Sequence, residues 1–293
     1  MLGPGDDCAV LRLAPGTDLC VTTDALVEGV HFDPALFSDA DIGHKALAVN
    51  LSDLAAMGAR PRWFVCSIAC RPKDTARLPR IAQGMAALAN RSGIALIGGN
   101  LSRAEALSIH ITATGQVRRH SALTRSGARQ GDWVYVTGVL GEAALALTLP
   151  STQRGARSVL ARQLRPEPRL EAGLIARRFA RAAIDISDGL LQDLRHVAEA
   201  SKVGIRIDAR EVPVSDTFRK LAADLELALS GGEDYELALF VPRNKARAFE
   251  AACQEAGEEV HLIGEAVRGQ GVVVENAPRL RSWGFDHFGK GGR

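Results

Sequence analysis

The stretch Trp133-Val-Tyr-Val-Thr-Gly138 marks the main division of the chain. It is a β-rich run closed by glycine, and residues 140–149, which follow, have a helical composition. Residues 118–132, which precede it, are rich in turn formers and charge. Because 293 residues is about twice the usual length of one domain, we predict two domains, residues 1–132 and 133–293. Residues 150–168, with three prolines, are a second candidate for the passage between domains.

Strand-like and helical stretches occur in both predicted domains, so each half of the chain is expected to be α/β or α+β. The hydrophobic periodicity predicts strands over 9–13, 19–23, 63–69, 94–97, 107–117, 133–138, 183–186, 204–207, 235–241 and 259–263. It predicts helices over 41–57, 76–90, 140–149, 171–181, 188–201 and 243–256.

Composition and charge exclude several classes of function. The net charge is only +2, which provides no broad basic surface for nucleic acid or anionic lipid. The longest run without Asp, Glu, Lys or Arg is residues 106–117, too short to cross a bilayer. The first residues resemble no export signal. We therefore expect a cytoplasmic protein with no nucleic-acid partner and no membrane partner.

Sulfur and nucleotide motifs exclude further kinds of site. The five cysteines form no C-x-x-C pair, and Cys66 and Cys70 alternate with apolar residues on a predicted strand. We interpret them as buried core thiols rather than zinc ligands; for Cys8 a place near a functional loop is the alternative. The sequence also lacks a P-loop, a G-x-G-x-x-G after a strand, H-E-x-x-H and G-x-S-x-G.

Carboxylates recur instead at predicted strand ends, beside Gly or Ser. The five places are Gly5-Asp-Asp7, Thr22-Thr-Asp24, Asn50-Leu-Ser-Asp53, Asp185-Ile-Ser-Asp-Gly189 and Ser230-Gly-Gly-Glu-Asp234. Asn50 and Asp53 share one face of the predicted helix over 41–57. Asp188 has a simpler interpretation as the N-cap of the helix that follows it.

Many carboxylates with few His or Cys residues indicate oxygen ligands for Mg²⁺, which typically also binds substrate phosphates. Glycines in Leu96-Ile-Gly-Gly-Asn100 would let backbone N–H groups approach a phosphate. Arg125 could donate to a phosphate, although a solvated surface role is the alternative.

Seven motifs in order give the chain its resemblance to a family. They are Gly5-Asp-Asp-Cys-Ala9, the runs over 22–32 and 45–59, Leu96-Ile-Gly-Gly99, Leu123-Thr-Arg-Ser-Gly-Ala128, Ile184-Asp-Ile-Ser-Asp-Gly-Leu190 and Ser230-Gly-Gly-Glu-Asp-Tyr-Glu-Leu237. Together with residues 283–288 they resemble the thiamine-monophosphate kinases, which have the aminoimidazole-ribonucleotide-synthetase-like fold. The resemblance implies mixed sheets flanked by helices and a homodimer formed through the sheet of the N-terminal domain.

The resemblance also implies a reaction and a set of site residues. The reaction is ATP-dependent phosphorylation of thiamine monophosphate to thiamine diphosphate, assisted by several Mg²⁺ ions. The implied metal ligands are Asp7, Thr23, Asp24, Asp53, Asn100, Asp185 and Asp188, of which Asp24, Asp53 and Asp185 are the implied catalytic residues. The implied ATP contacts are Gly99, Asn100, Arg125 and Ser187. The implied thiamine monophosphate contacts are His31, Glu233, Trp283 and Phe285; His31 and Trp283 have structural roles as alternatives.

The chain departs from the family pattern at two places. The family has Asp-Thr after Leu-Ile-Gly-Gly, whereas this chain has Asn100-Leu101, which replaces a charged ligand by a neutral one. The family also has a helical segment ahead of Gly5-Asp-Asp7, where this sequence begins almost at the motif. The alternatives are therefore an impaired paralogue that binds nucleotide or thiamine phosphate without turnover, and another ATP-dependent enzyme of the superfamily.

Overall fold

A computed structural model describes residues 15–150, 155–222, 225–277 and 279–284, together with the backbone of residues 9–12. Two of the predicted site residues, Asp7 and Phe285, lie outside the described residues, and so does Cys8. The other four cysteines are buried thiols, as predicted. None of the helices in these ranges is long and apolar enough to span a membrane.

The first half of the chain forms a five-stranded sheet in the order β1-β2-β5-β3-β4. All neighbours are antiparallel except β3 and β4, which are parallel. The predicted strands are confirmed, but β4 extends to Arg103 instead of ending at Ile97. The strands are β1 (Ala9–Arg12), β2 (Thr17–Val27), β3 (Arg60–Cys70), β4 (Ala95–Arg103) and β5 (Ser108–Arg118).

One face of this sheet is covered by two helices, α1 (Asp39–Ala56) and α2 (Leu78–Ser92). Ser38 begins α1 with a capping box, in which its hydroxyl and the carboxylate of Asp41 exchange hydrogen bonds with each other's backbone N–H groups. Almost every residue of α1 is buried. The helix therefore contacts other elements on all of its sides.

The opposite face of the sheet is open. Strand alternation places Val65 of β3 and Thr23 of β2 on this face. Every residue of β4 is exposed, including Leu96, Ile97 and Leu101. We call this surface the open face, defined by the uncovered side of β2, β5 and β3 and by the edge strand β4.

The second half forms a six-stranded mixed sheet in the order β11-β8-β10-β6-β9-β7. Only β11 and β8 are parallel, and β7 and β9 are buried along their whole length. The strands are β6 (Asp132–Thr137), β7 (Ala182–Ile186), β8 (Gly204–Asp208), β9 (Glu236–Pro242), β10 (Val260–Val267) and β11 (Gly271–Glu275).

Among the residues that the structure describes, seven α-helices accompany this sheet, and the sequence prediction missed three of them. They are α3 (Glu142–Thr148), α4 (Ala156–Leu164), α5 (Leu170–Phe179), α6 (Leu190–Ser201), α7 (Asp216–Leu221), α8 (Glu226–Ser230) and α9 (Ala246–Ala256). The missed helices α4, α7 and α8 are short, and the missed strand β11 has only five residues. The candidate passage over 150–168 is wrong as an interdomain linker, because it contains α4, which packs against α3.

Helix α1 joins the two halves. It packs against α5 and β7 of the second half as well as against β2 and β5 of the first. At the contact with α5, a Cβ added to Gly173 would overlap the carbonyl oxygen of Ala55. The Ser52 hydroxyl donates to Asp185 Oδ2 of β7 at 2.7 Å. The position of α1 therefore fixes where the ends of β2 and β7 lie relative to each other.

The contact between α1 and α2 depends on two glycines. A Cβ at Gly43 would overlap the carbonyl oxygen of Ile81, and a Cβ at Gly84 would overlap that of Ala40. We expect Gly43→Ala and Gly84→Ala each to lower the free energy of unfolding by about 2 kcal/mol, because the two helix backbones must separate. Denaturant unfolding measures the change.

The control for that prediction is Ala86→Gly on the exposed side of α2. We expect Ala86→Gly to lower the free energy of unfolding by about 1 kcal/mol, because helices prefer alanine to glycine. Without the close contact between the helices, the same preference would make Gly84→Ala stabilising. A Gly84→Ala protein at least as stable as wild type would contradict the prediction.

Candidate active site

The two halves of the chain meet at a cavity of about 860 Å³. Its walls come from the end of β2 and the loop after it, from α1, from the turn between β7 and α6, and from the loop before β9. Seven of the predicted site residues line it: Asp24, His31, Asp53, Asp185, Ser187, Asp188 and Glu233. The structure therefore brings together most of the predicted acidic residues.

Three carboxylates are placed by hydrogen bonds between α1 and the two sheets. The Thr22 hydroxyl donates to Asp53 Oδ2. The Asn50 carbonyl oxygen accepts the backbone N–H of Asp24 at 3.1 Å. With the Ser52 bond to Asp185, these contacts hold α1 against both β2 and β7. The prediction that Asn50 and Asp53 act on one side of α1 agrees with this arrangement.

The pKa of Tyr235 reflects the negative charge of the cavity. Burial raises the pKa of its hydroxyl well above the usual value, and the nearby carboxylates of Glu233, Asp24, Asp185 and Asp53 raise it further. All four carboxylates thus lie near one buried phenol. A cavity with this donor set favours hard cations that accept oxygen ligands.

The turn between β7 and α6 is organised by Asp193, which the sequence prediction missed. Its Oδ2 accepts the backbone N–H groups of Ser187, Asp188 and Gly189 at 3.0, 3.1 and 3.1 Å. The interpretation of Asp188 as an N-cap is wrong: Gly189 holds the cap position, and no side chain caps the helix there. The acidic residue in the first turn of α6 was the signal that could have identified Asp193.

Asp188 is consequently available to the cavity, where its Oδ2 lies 3.4 Å from the amide nitrogen of Gln192. Asp188, Asp193 and His196 offer ligand atoms within 4.8 Å of one another, the one such group of three found among the residues that the structure describes. Asp24, Asp53 and Asp185 do not form a group that compact, so a cation beside them would need further oxygens from water or a phosphate.

The loop before β9 presents Glu233 to the cavity in an uncommon backbone conformation. Glu233 and Tyr235 have φ of 71° and 52°, which costs a non-glycine residue free energy. Two hydrogen bonds hold the loop: Glu233 N–H donates to Ser187 O at 2.7 Å, and Tyr235 N–H donates to Ile186 O at 2.8 Å.

The Glu233 side chain is held by two residues that the sequence prediction missed. Lys45 Nζ lies 3.0 Å from Glu233 Oε2, although Lys45 is fully buried. The Gln163 amide nitrogen donates to the same oxygen. Burial lowers the pKa of Lys45, while Glu233 opposes that shift. The position of Lys45 in the predicted helix over 41–57 gave no sequence signal for this role.

His31 lies at the same end of the cavity. Its Nδ1 accepts the backbone N–H of Val27 at 3.1 Å, so the proton of the neutral ring is on Nε2. The Lys45 ammonium lies 3.4 Å from the His31 carbonyl oxygen. His31 therefore has a structural role in the loop and also lines the cavity; its contact with thiamine monophosphate stays a prediction.

Five predicted site residues among those that the structure describes do not line the cavity, Trp283 being one of them. Thr23 is on the opposite face of β2 from Asp24, because successive side chains of a strand alternate, and its hydroxyl donates to Ile111 O at 3.0 Å. Gly99 and Asn100 lie on the exposed edge strand β4. Arg125 lies in a short 3₁₀ turn, Arg125–Gly127, where its carbonyl oxygen accepts from Ser201.

Trp283 is half exposed and also does not line the cavity, although Ser282 and Gly284 on either side of it do. The segment over 279–284 thus passes the cavity mouth. A Cβ on Gly284 would overlap the Gln192 side chain, which places this segment against α6.

We expect Asp193→Ala to lower the free energy of unfolding by about 3 kcal/mol, because three backbone N–H groups lose a charged acceptor. Chemical denaturation measures the loss. Glu199→Ala, which removes an exposed carboxylate of the same helix paired with Arg195, is the control and should change stability by less than about 0.5 kcal/mol. Equal effects of the two substitutions would contradict the assignment of Asp193.

Comparison with known proteins agrees with this architecture. Residues 5–117 match the N-terminal domain of the AIR synthase related proteins, and residues 129–276 match their C-terminal domain. The chain is 40% identical to the thiamine-monophosphate kinase of Salmonella typhimurium, over 98% of this chain and 91% of that protein. It is 36% identical to that of Bacillus subtilis, over 98% and 93%.

Solved structures give the same result. The thiamine-monophosphate kinase from Stenotrophomonas maltophilia is 41% identical, with a TM-score of 0.85 over 94% of this chain and 92% of that one. AaThiL complexed with AMPPCP and TMP is 31% identical, with a TM-score of 0.87 over 97% and 91%. Full-length likeness at these identities, in sequence and in structure, shows that the chain belongs to the thiamine-monophosphate kinase family of AIR synthase related proteins.

Proposed function

We propose that the chain transfers the γ-phosphoryl group of ATP to thiamine monophosphate, giving thiamine diphosphate and ADP. The observation that carries the proposal is the convergence of Asp24, Asp53, Asp185 and Asp188 on one cavity from β2, α1, β7 and the turn after β7. The relatives support it, because a structure of the family was obtained with an ATP analogue and TMP together. We keep the predicted domain limits and the cytoplasmic location as predictions.

The acceptor in this reaction is a phosphate monoester, whose second pKa is about 6. Its attacking oxygen is therefore already anionic at neutral pH, and the reaction needs no general base. The carboxylates of the cavity would repel both phosphates unless cations lie between them. This chemistry supports a role for the carboxylates as metal ligands rather than as proton acceptors.

The donor set fits Mg²⁺, because the cavity offers carboxylate oxygens and no cysteine among its described lining residues. Asp24, Asp53, Asp185 and Asp188 would hold the ions, which supply neutralisation of phosphate charge when bound. Thr22 and Ser52 orient Asp53 and Asp185. The protein then contributes alignment of donor and acceptor, which is sufficient for direct transfer without a phosphoenzyme.

The direct test is incubation of the protein with ATP, Mg²⁺ and thiamine monophosphate, with thiamine diphosphate measured by chromatography. Formation of product only when all three are present supports the proposal. Binding of thiamine monophosphate without turnover would instead support the alternative of an impaired paralogue.

We expect Asp24→Asn and Asp53→Asn each to lower kcat by at least about 100-fold, because each loses a charged oxygen ligand where the transferred phosphoryl group is stabilised. Both should keep the thermal unfolding of wild type. Asp216→Asn, an exposed carboxylate on α7, is the control. Wild-type rates in either variant, or turnover in the presence of excess chelator, would refute the metal-ligand role.

We further propose that a second copy of the chain covers the open face, giving the predicted homodimer. The uncovered side of β3 exposes Val65, and the edge strand β4 exposes Leu96, Ile97 and Leu101 along its length; an apolar edge strand of this kind pairs readily with another strand. Asn100 pairs with Ser67 in the register of β4 with β3, and Thr23 lies on the same face. Thr23 and Asn100, two predicted metal ligands outside the cavity, would then lie at the dimer interface. That Asn100 is a weakened metal ligand stays a prediction.

Light scattering after size exclusion tests the dimer. We expect wild type to elute as a dimer and Leu101→Asp to elute as a monomer, because a carboxylate would be buried in the interface without a partner. Val273→Asp is the control, since Val273 is similarly exposed on β11 of the other sheet. A monomeric wild type would exclude the interface, and a dimeric Leu101→Asp protein would place it elsewhere.

A further inference from the structure

The loop that follows β2, residues 28–37, supplies a large part of the cavity wall, since seven of its ten residues line the cavity. Its later residues are anchored by apolar packing, because Phe32 and Phe37 lie in the core of the first half and contact each other edge to face. Residues 28–31 bury no apolar side chain, and Val30 is 64% exposed. Another contact must therefore hold the start of the loop in place.

Glu28, the first residue of the loop, makes that contact with Arg71, which directly follows β3. Arg71 Nη2 lies 2.7 Å from each carboxylate oxygen of Glu28. Glu28 Oε2 also accepts the backbone N–H of Leu107 at 3.2 Å, and the Glu28 N–H donates to Leu107 O at 2.9 Å. The two side chains are only 17% and 29% exposed, so salt screens this ion pair less than a surface pair. Glu28 thus joins the start of the loop to the end of β3 and the start of β5.

The guanidinium of Arg71 bridges two carboxylates. Its Nε donates to Asp74 Oδ2 at 2.5 Å, while Nη2 is on Glu28. Asp74 is buried and also accepts from Arg77, which donates in turn to Asp39 Oδ1 at 2.7 Å. Asp39 lies in the first turn of α1. The charges alternate in sign along this chain of contacts, so Arg71 links the start of the loop to the start of α1.

The start of the loop affects one substrate more than the other. It carries His31, the predicted contact with thiamine monophosphate. Residues 28–37 include no lysine or arginine that would bind the phosphates of ATP. Displacement of the loop should therefore weaken the binding of thiamine monophosphate, while the affinity for ATP and the phosphoryl-transfer step change little.

We propose that Arg71 is a positioning residue for substrate binding, which acts through Glu28 to hold the start of the 28–37 loop at the wall of the cavity. The inference rests on the proposed function for the identity of the substrate. It adds a residue that lies outside the lining of the cavity and outside the seven sequence motifs, yet sets the affinity for thiamine monophosphate.

The first test measures the steady-state constants of Arg71→Met, which keeps the apolar stem without the guanidinium. We expect KM for thiamine monophosphate to rise about tenfold, the loss of one charged contact. The kcat and the KM for ATP should stay within about twofold of wild type. The matched control is Arg77→Met, because Arg77 belongs to the same chain of ion pairs but bonds Asp39 and Asp74 rather than the loop. An unchanged KM in Arg71→Met, or an equal rise in Arg77→Met, would overturn the proposal.

A double-mutant cycle tests whether Arg71 acts through Glu28. Glu28→Gln keeps an acceptor for the Leu107 N–H and removes the ion pair. We expect it to raise KM for thiamine monophosphate about as much as Arg71→Met, and the double variant to raise it no further. Multiplied effects in the double variant would mean that the two residues act independently, which overturns the proposal. If Arg71→Met does not fold, Glu28→Gln alone decides, because an unchanged KM in that variant also overturns it.

Hydrogen–deuterium exchange separates this inference from the proposed function, because it needs no turnover. Two N–H groups at the start of the loop donate to Val27 O, so their exchange reports how well this turn is ordered. We expect the peptide over 28–37 to exchange at least about threefold faster in Arg71→Met than in wild type, and at the wild-type rate in Arg77→Met. This result would support the anchoring of the loop by Arg71 even if no thiamine diphosphate forms. Equal exchange in Arg71→Met and wild type would overturn the proposal even if turnover is observed.

Discussion

The burial of α1 between the two sheets is the constraint on which the rest of the structure depends. This helix buries several polar side chains, and each of these costs free energy unless it is hydrogen-bonded. In α1, Asn50 bonds to the backbone of β2, and Ser52 bonds to Asp185 of β7. The hydrogen bonds that offset the cost of burying these polar groups also position the acidic residues around one cavity. The packing of α1 and the arrangement of the acidic residues therefore depend on the same hydrogen bonds.

The cavity combines two electrostatic environments. Around Tyr235 the carboxylates of β2, α1 and β7 concentrate negative charge, which suits cations and phosphates together. At the loop before β9, Lys45 balances Glu233, and directional hydrogen bonding replaces net charge.

Much of the architecture could be predicted from sequence, because alternation and glycine-closed strands are local signals. All the described strands except β11 follow from such patterns. Helix α4 could not be recognised, since residues 150–168 are rich in arginine and proline, and its burial depends on neighbours distant in sequence. The acidic residues of the cavity were identified by motif, yet Thr23 was assigned with Asp24 although a strand places adjacent side chains on opposite faces. Lys45 and Gln163 contact Glu233 across elements distant in sequence, which no short motif encodes, whereas Asp193 had only its place in the first turn of α6 as a signal.

The glycine contact between α1 and α5 has a consequence for how such chains can diversify. Gly173 touches the backbone of Ala55, so the surface of α5 in the second half is complementary to the surface of α1 in the first half. If recombination exchanged only one half between related genes, α1 would be paired with an α5 that evolved to fit a different α1. The two halves are therefore expected to be inherited as a unit, even though each has its own sheet and its own hydrophobic core.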